Sequence, residues 1–235
     1  MILFSLDSYG KTAGAALWRD GTFLYEATLA TGLTHSESLL PLCAEAFRAA
    51  GVAPADVDLY AVCAGPGSFT GLRIGLATVK GLAAPHGTLT APVSTLEAAA
   101  LASGAEGTVI AALDARRQEV YWAAFQVENG LCRRLTPDAA APVSALAETV
   151  KSSPGPVTFV GDGAPLCRAA FQEDPRVRPA SPLPLPMACG AALAGLRMHE
   201  AGGAVPPAQL VPSYHRLSQA EREMREKQTK GREKI

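Results

Sequence analysis

Residues 109–130, VIAALDARRQEVYWAAFQVENG, restate residues 2–21, ILFSLDSYGKTAGAALWRDG. Asp7 falls on Asp114, Trp18 on Phe125, and the turn Asp20-Gly21 on Asn129-Gly130 after a short insertion. Each stretch opens with a continuous apolar run that ends in an acid, the pattern of a buried strand. In the first copy AGAALWR (13–19) and TFLYEATL (22–29) flank Asp-Gly, a strong short-range sign of a hairpin. Working outward, Thr34 and Glu37 have capping-box spacing and open a helix that runs to about Ala50 and stops at Gly51. LYAVCA (59–64) reads as a buried strand, and GPGSFTG (65–71) turns the chain into a second helix over about 70–83, stopped by Pro85. VSTLEAAALA (93–102) is a third helix with Ser94 as its cap. In the second half VTFVGDG (157–163), a strand into a glycine turn and helix, echoes LYAVCAGPG (59–67).

Two halves of this order, each a hairpin followed by helix and strand units, imply an α/β protein with a mixed sheet flanked by helices in each half. The arrangement resembles the duplicated ribonuclease H-like fold of actin, sugar kinases and Hsp70. The expected division is an N-terminal lobe over 1–103, a C-terminal lobe over 104–217, and a charged helix or tail over 218–235 with six Lys/Arg against four Glu. The 235 residues, 48% hydrophobic and 18% charged, suffice for a sizeable core and argue against a disordered chain. Lys+Arg 21 against Asp+Glu 22 leaves no global basic field for nucleic acid. Five cysteines without a CxxC pair, each in an apolar stretch, suit small buried hydrophobes in a reducing compartment. The N-terminus lacks the features of a signal peptide. Residues 179–196 are uncharged, but prolines leave only 187–196 to run as helix, about 15 Å, too short for a bilayer. A cytoplasmic protein without a membrane role is expected.

Asp7, at a strand end before a turn rich in Ser, Gly, Lys and Thr, suits a magnesium–phosphate site, with Ser8 beside it. Gly65, Gly67 and Ser68, ahead of a helix, could cradle an anion on backbone amides. Asp114 faces the place of a second acid, but ARRQEVYW after it lacks a phosphate turn, so half of a nucleotide clamp is missing. Gly71 and Gly75 lie four apart in the second helix, a spacing that lets another helix approach closely. Glycine there costs about 1 kcal/mol against alanine, which implies a geometric requirement. The two helices carry wide apolar stripes: Leu39, Cys43, Ala46, Phe47 and Ala50, widened by Leu40 and Ala44; and Leu72, Leu76, Val79 and Ala83, with Ile74 and Leu82 beside them. Such width predicts a second contact surface. No HxxxH, HExxH or GxSxG occurs, so neither a metal site nor a hydrolase triad is predicted.

The stretches ILFSLDSYGKTAGAALW, THSESLLP, GPGSFTGLRIGLATVKGLA, VSTLEAAA, LDARRQEVYWAAF, VGDGA and PSYHRLSQAERE together resemble the bacterial TsaB (YeaZ) family, almost end to end. That resemblance implies a non-catalytic subunit that dimerises with and activates the TsaD-type threonylcarbamoyltransferase, for N6-threonylcarbamoylation of adenosine 37 in tRNAs reading ANN codons. A TsaE-type ATPase joins the pair. ATP and a metal ion then belong to the partner subunits, tRNA is met through the complex, and a homodimer forms when the chain is alone. By position, the partner surface takes His35, Glu37, Leu39, Leu40, Cys43 and Phe47 from the first helix. From the second it takes Thr70, Gly71, Leu72, Gly75, Leu76 and Val79. The catalytic paralogue holds its metal through HxxxH on the equivalent first helix; here Leu39 follows His35. The family opening Asp-Thr-Ser-Thr is Asp7-Ser8-Tyr9-Gly10 here, which leaves the turn a vestigial nucleotide site at most. The alternative reading is a small-molecule kinase or ATPase of the actin-like superfamily using Asp7 and the 65–71 loop.

Overall fold

The computed structural model describes residues 1–129, 131–178 and 184–216. The first half runs β1 (Ile2–Asp7), β2 (Ala13–Arg19), β3 (Thr22–Leu29), α1 (His35–Ala50), β4 (Leu59–Gly65), α2 (Phe69–Ala83), β5 (Leu89–Ser94) and α3 (Thr95–Ala102). The second runs β6 (Gly107–Asp114), β7 (Glu119–Glu128), β8 (Leu131–Arg134), β9 (Ala139–Pro142), α4 (Ala147–Ser152), β10 (Val157–Val160), α5 (Ala164–Ala170), β11 (Val177–Arg178) and α6 (Met187–Glu200). A five-stranded sheet has the order β3-β2-β1-β4-β5, and a six-stranded sheet the order β11-β10-β6-β7-β8 with β9 added on β7. In each, a central strand ends in the paired acid: β1 and β6 are antiparallel to the next strand and parallel to β4 or β10. The repeat in the sequence is therefore a repeat of architecture.

Local chemistry explains the elements. Leu3 to Asp7 is buried throughout, as a central strand covered on both faces requires. Helix α1 starts where the Glu37 carboxylate accepts from the Thr34 amide (3.0 Å), and ends at Gly51 in the left-handed conformation (φ 62°). It is fastened to the sheet by Phe47, which stacks on Phe4 at 4.7 Å, with Tyr60 edge-on to Phe4 at 5.9 Å. Burying side chains of this size contributes about 1.5–3 kcal/mol each. Ser94 caps α3 by accepting from the Glu97 amide (3.2 Å).

Two elements differ from the sequence reading. Val93 and Ser94, read as the start of the third helix, instead close a strand, LTAPVS (89–94), whose Pro92 lies at the sheet edge, where the missing amide takes no bond from the ladder. Helix α6, assigned by sequence to the C-terminal lobe, packs on the first sheet and on α3. Ser5 Oγ donates to the Ala188 carbonyl (2.8 Å), and a Cβ on Gly195 would sit 2.6 Å from the Ala61 Cβ. Small residues bring this helix onto the sheet at close range, so α6 packs with the N-terminal half of the chain. One apolar core joins the sheets, with α3 packed between β4 and β6. Among the described residues no helix is long and apolar enough to cross a membrane. Gly130 of the second turn, part of the proline-rich loop (179–183) and the tail after Ser218 lie outside the described residues.

Candidate functional site

Four strand ends meet between the lobes around a cavity of about 560 Å³, walled by Tyr9, Gly10, Lys11, Gly67, Ser68, Phe69, Thr70, Leu113, Asp114, Ala115, Arg116, Tyr121, Asp162 and Arg216. The floor on the first-lobe side is the β1–β2 turn. Asp7 is buried (1% exposed) and does not line the cavity. Its Oδ1 accepts from the Tyr9 amide (3.2 Å), while the Cys63 thiol lies alongside without satisfying Oδ2. Burial pushes the Asp7 carboxyl up to about 7, against the opposing pull of the Tyr9 amide and the thiol. Ser8 is buried too, its hydroxyl donating to the Gly71 carbonyl (2.9 Å). The Ser68 amide donates to the Tyr9 carbonyl (2.8 Å), and the Ser68 hydroxyl accepts from the Gly71 amide (3.3 Å), capping α2.

The five residues of the expected phosphate turn are thus separated. Gly67 and Ser68 face the cavity, Asp7 and Ser8 lie beneath it, and Gly65 packs against the Ser213 carbonyl. The cavity also brings in residues the sequence reading did not single out: Lys11 from the β1–β2 turn, Arg116 and Asp162 from the second lobe, and Arg216. Asp162 Oδ1 accepts from the Asp114 amide (3.0 Å). Loss of bulk water at the wall pushes the Asp162 carboxyl upward, helped by the Asp114 charge and opposed by the Asp114 amide and Lys11. The repeat itself carried the signal for Asp162, since VGDG matches the glycine turn after β4. The cavity pairs three cations with two carboxylates, so it can orient a polar or zwitterionic group. Among the described residues, no group of three or more His, Cys, Asp or Glu is placed to hold a metal ion.

The expected partner residues split by exposure. Leu39, Cys43 and Phe47 of α1, and Gly71, Leu72, Gly75, Leu76 and Val79 of α2, are buried and offer no surface to a partner. A Cβ on Gly71 would lie 2.0 Å from the Ser8 carbonyl oxygen, and one on Gly75 would lie 2.3 Å from Ser8 Oγ. The glycine pair therefore admits the β1–β2 turn of the same chain, not a partner helix. His35 is half-buried, its Nε2 2.9 Å from the Gly10 carbonyl, and Leu39 four positions on is core. Leu40 is 61% exposed, and Glu37, Thr70, Ala44, Ala77 and Gly81 are exposed with it.

Paired mixed sheets meeting at strand ends around an inter-lobe cavity define an actin-like ATPase, duplicated ribonuclease H-like fold. A ROK hexokinase from Thermus thermophilus shares that fold, with a TM-score of 0.53 at 15% identity over 85% of this chain and 100% of that one. The family model described as "TsaD: tRNA N6-adenosine threonylcarbamoyltransferase" matches residues 30–222. The tRNA threonylcarbamoyladenosine biosynthesis protein TsaB of Bacillus subtilis is 31% identical over 74% of this chain and 76% of its own. YeaZ from Pseudomonas aeruginosa superposes with a TM-score of 0.75 at 27% identity, covering 91% of this chain and 99% of that one. The chain belongs to the TsaB (YeaZ) family.

Proposed function

We propose that this chain is a non-catalytic subunit in tRNA threonylcarbamoyladenosine synthesis, which dimerises with and activates a TsaD-type threonylcarbamoyltransferase. The modified base is adenosine 37 of tRNAs that read ANN codons, and a TsaE-type ATPase joins the pair. The observation that carries this reading is the outward side of α1 and α2. Leu40 and Ala44, which widen the first stripe, stand exposed; Ala77 and Gly81 do so on α2, with Ile74 and Leu82 half-buried between core and solvent. A Cβ on Gly81 would meet nothing within 4 Å, so this side is flat and small enough for a helix to lie against it. Two adjacent helices with apolar residues left over after core packing suit a protein partner. Support also comes from the family, and from the placement of core Leu39 where the catalytic paralogue carries the second metal histidine. In this reading ATP and the metal are held by the partner subunits, tRNA is met through the complex, the chain works in the cytoplasm, and it pairs with itself when alone.

Leu40→Glu and Ala77→Glu test the reading, because both sites are exposed and the monomer should keep its fold. The expected result is loss of co-purification with the TsaD-type subunit and loss of modified tRNA. Retained pairing in both variants would place the interface elsewhere. Micromolar binding and turnover of Mg-ATP by the isolated chain in calorimetry would favour the kinase or ATPase instead.

A further inference from the structure

After α6 the chain returns to the cavity over residues 213–216 and touches both banks of the mouth. On the first bank, the Ser213 amide donates to the Ala64 carbonyl (2.8 Å). Gly65, at φ 138°, leaves room for the Ser213 carbonyl; a Cβ there would sit 2.1 Å from that oxygen. The Tyr214 ring stacks on Phe69 in the first turn of α2, with centroids 4.3 Å apart and 13° between planes. Arg73 Nε donates to the Tyr214 hydroxyl (2.7 Å), and its guanidinium lies 5.6 Å from the Tyr214 ring centre. Two residues later the chain is on the second bank: Arg216 Nη1 donates to the Ala115 carbonyl (2.7 Å), and the guanidinium pairs with Glu119.

What Arg216 grips is a strained turn. Arg116, Arg117 and Gln118 follow one another with φ of 64°, 56° and 62°. Left-handed backbone is costly for side chains of this kind, and such a run persists where its surroundings hold it. Here the Arg116 amide donates to Asp114 Oδ1 (2.7 Å), the Glu119 amide to the Arg116 carbonyl (3.2 Å), and Arg216 ties both ends of the turn. Apart from this segment the two sheets are linked by α3, which packs on β6 and β7.

We propose that residues 213–216 form a clasp across the cavity mouth, which fixes the separation of the two banks and holds the 116–118 turn in its left-handed form. On the clasp side Ser213 and Tyr214 are exposed and Arg216 is half-buried, while Leu210 just before them is core, so 213–216 can release with the chain still held at Leu210. Release would widen the cavity and free Arg116 at its rim together.

Hydrogen exchange on the full chain tests the coupling, because Tyr214 touches one bank and the strained turn lies on the other. In Tyr214→Ala, exchange should rise about fivefold or more in 113–121 as well as in 62–73. Tyr214→Phe, which keeps the stacked ring, should leave 113–121 close to the parent. Arg216→Glu, which loses both the Glu119 pair and the donor to the Ala115 carbonyl, should accelerate both segments, whereas Arg216→Lys, which keeps the charge and a donor, should stay closer to the parent. Acceleration of 62–73 alone in Tyr214→Ala would overturn the clasp, as would acceleration of 113–121 alone in Arg216→Glu. Loss of protection in residues 2–19 would overturn it too, by making the segment part of the core.

Discussion

The two hairpin turns descend from one pattern and face opposite ways. The turn after Asp7 is folded inward: Ser8 is buried, bonded to Gly71, and its carbonyl fills the space where a Gly71 Cβ would be. The turn after Asp114 stands outward, with Arg116, Arg117 and Gln118 exposed and left-handed. Beneath this contrast the strand ends are built alike. In the first lobe, glycines after β4 close on Ser8 and Tyr9; in the second, Gly161 and Gly163 close on Ala112 and Leu113. In both copies glycines let the chain close on the end of the acid-bearing strand, one or two residues after Asp7 in the first and one or two before Asp114 in the second. The side chains that face the cavity answer to no such constraint, and there the copies diverge.

The largest effects should come from breaking the shared part. Gly75→Leu and Gly71→Ala should each lower the stability of the monomer by about 3 kcal/mol or more in urea unfolding, because neither the Ser8 carbonyl nor its bonded hydroxyl can move aside. Gly163→Ala is the second-lobe counterpart, with 2.9 Å from the new Cβ to the Leu113 carbonyl carbon, and should cost less but clearly destabilise. If it proves harmless, the likeness between the lobes ends at topology.

Asp7→Asn probes the inward turn. A carboxyl raised to about 7 from 3.8 keeps its proton longer in the folded state than in the unfolded one. Folding stability of the parent should therefore fall as pH rises from about 4 to about 7 and level off above, the charge being costly where it is buried. The Asn variant should lack that fall, opening a gap of about 2–4 kcal/mol in its favour by pH 8. Parallel pH profiles would show that Asp7 finds a partner when ionised. Asp114→Asn, at an exposed carboxyl, should change stability by less than about 0.5 kcal/mol.

Smaller effects sharpen the outward turn and the partner side. Arg117→Gly should stabilise by about 1 kcal/mol by relieving left-handed backbone, and a thermal scan showing a loss would mean that the Arg117 side chain holds the turn. Gly81→Ala, in open space on α2, should add about 0.5–1 kcal/mol through helix propensity, opposite in sign to Gly71→Ala in the same helix. Equal signs would contradict the assignment of inner and outer faces.

The sequence by itself determined the elements whose signals lie within a few residues. These are the apolar run ending at Asp7, the Asp20-Gly21 hairpin, the helix from Thr34 to Gly51, the Ser94 cap, and the repetition that doubles the fold. The stripe on α1 also showed that apolar surface exceeded what one sheet face needs. It did not show which part was surplus: Leu39, Cys43 and Phe47 went to the core and Leu40 to solvent. Tertiary structure alone decided that Gly71 and Gly75 face Ser8, 63 and 67 positions earlier, that α6 lies on the first sheet, and that Arg216 closes on Ala115 across the cavity. The physical reason is one of range. Periodicity, caps and turns are set by bonds to neighbours three or four residues away, whereas the sign of a glycine substitution depends on which distant atoms occupy the space its missing side chain leaves.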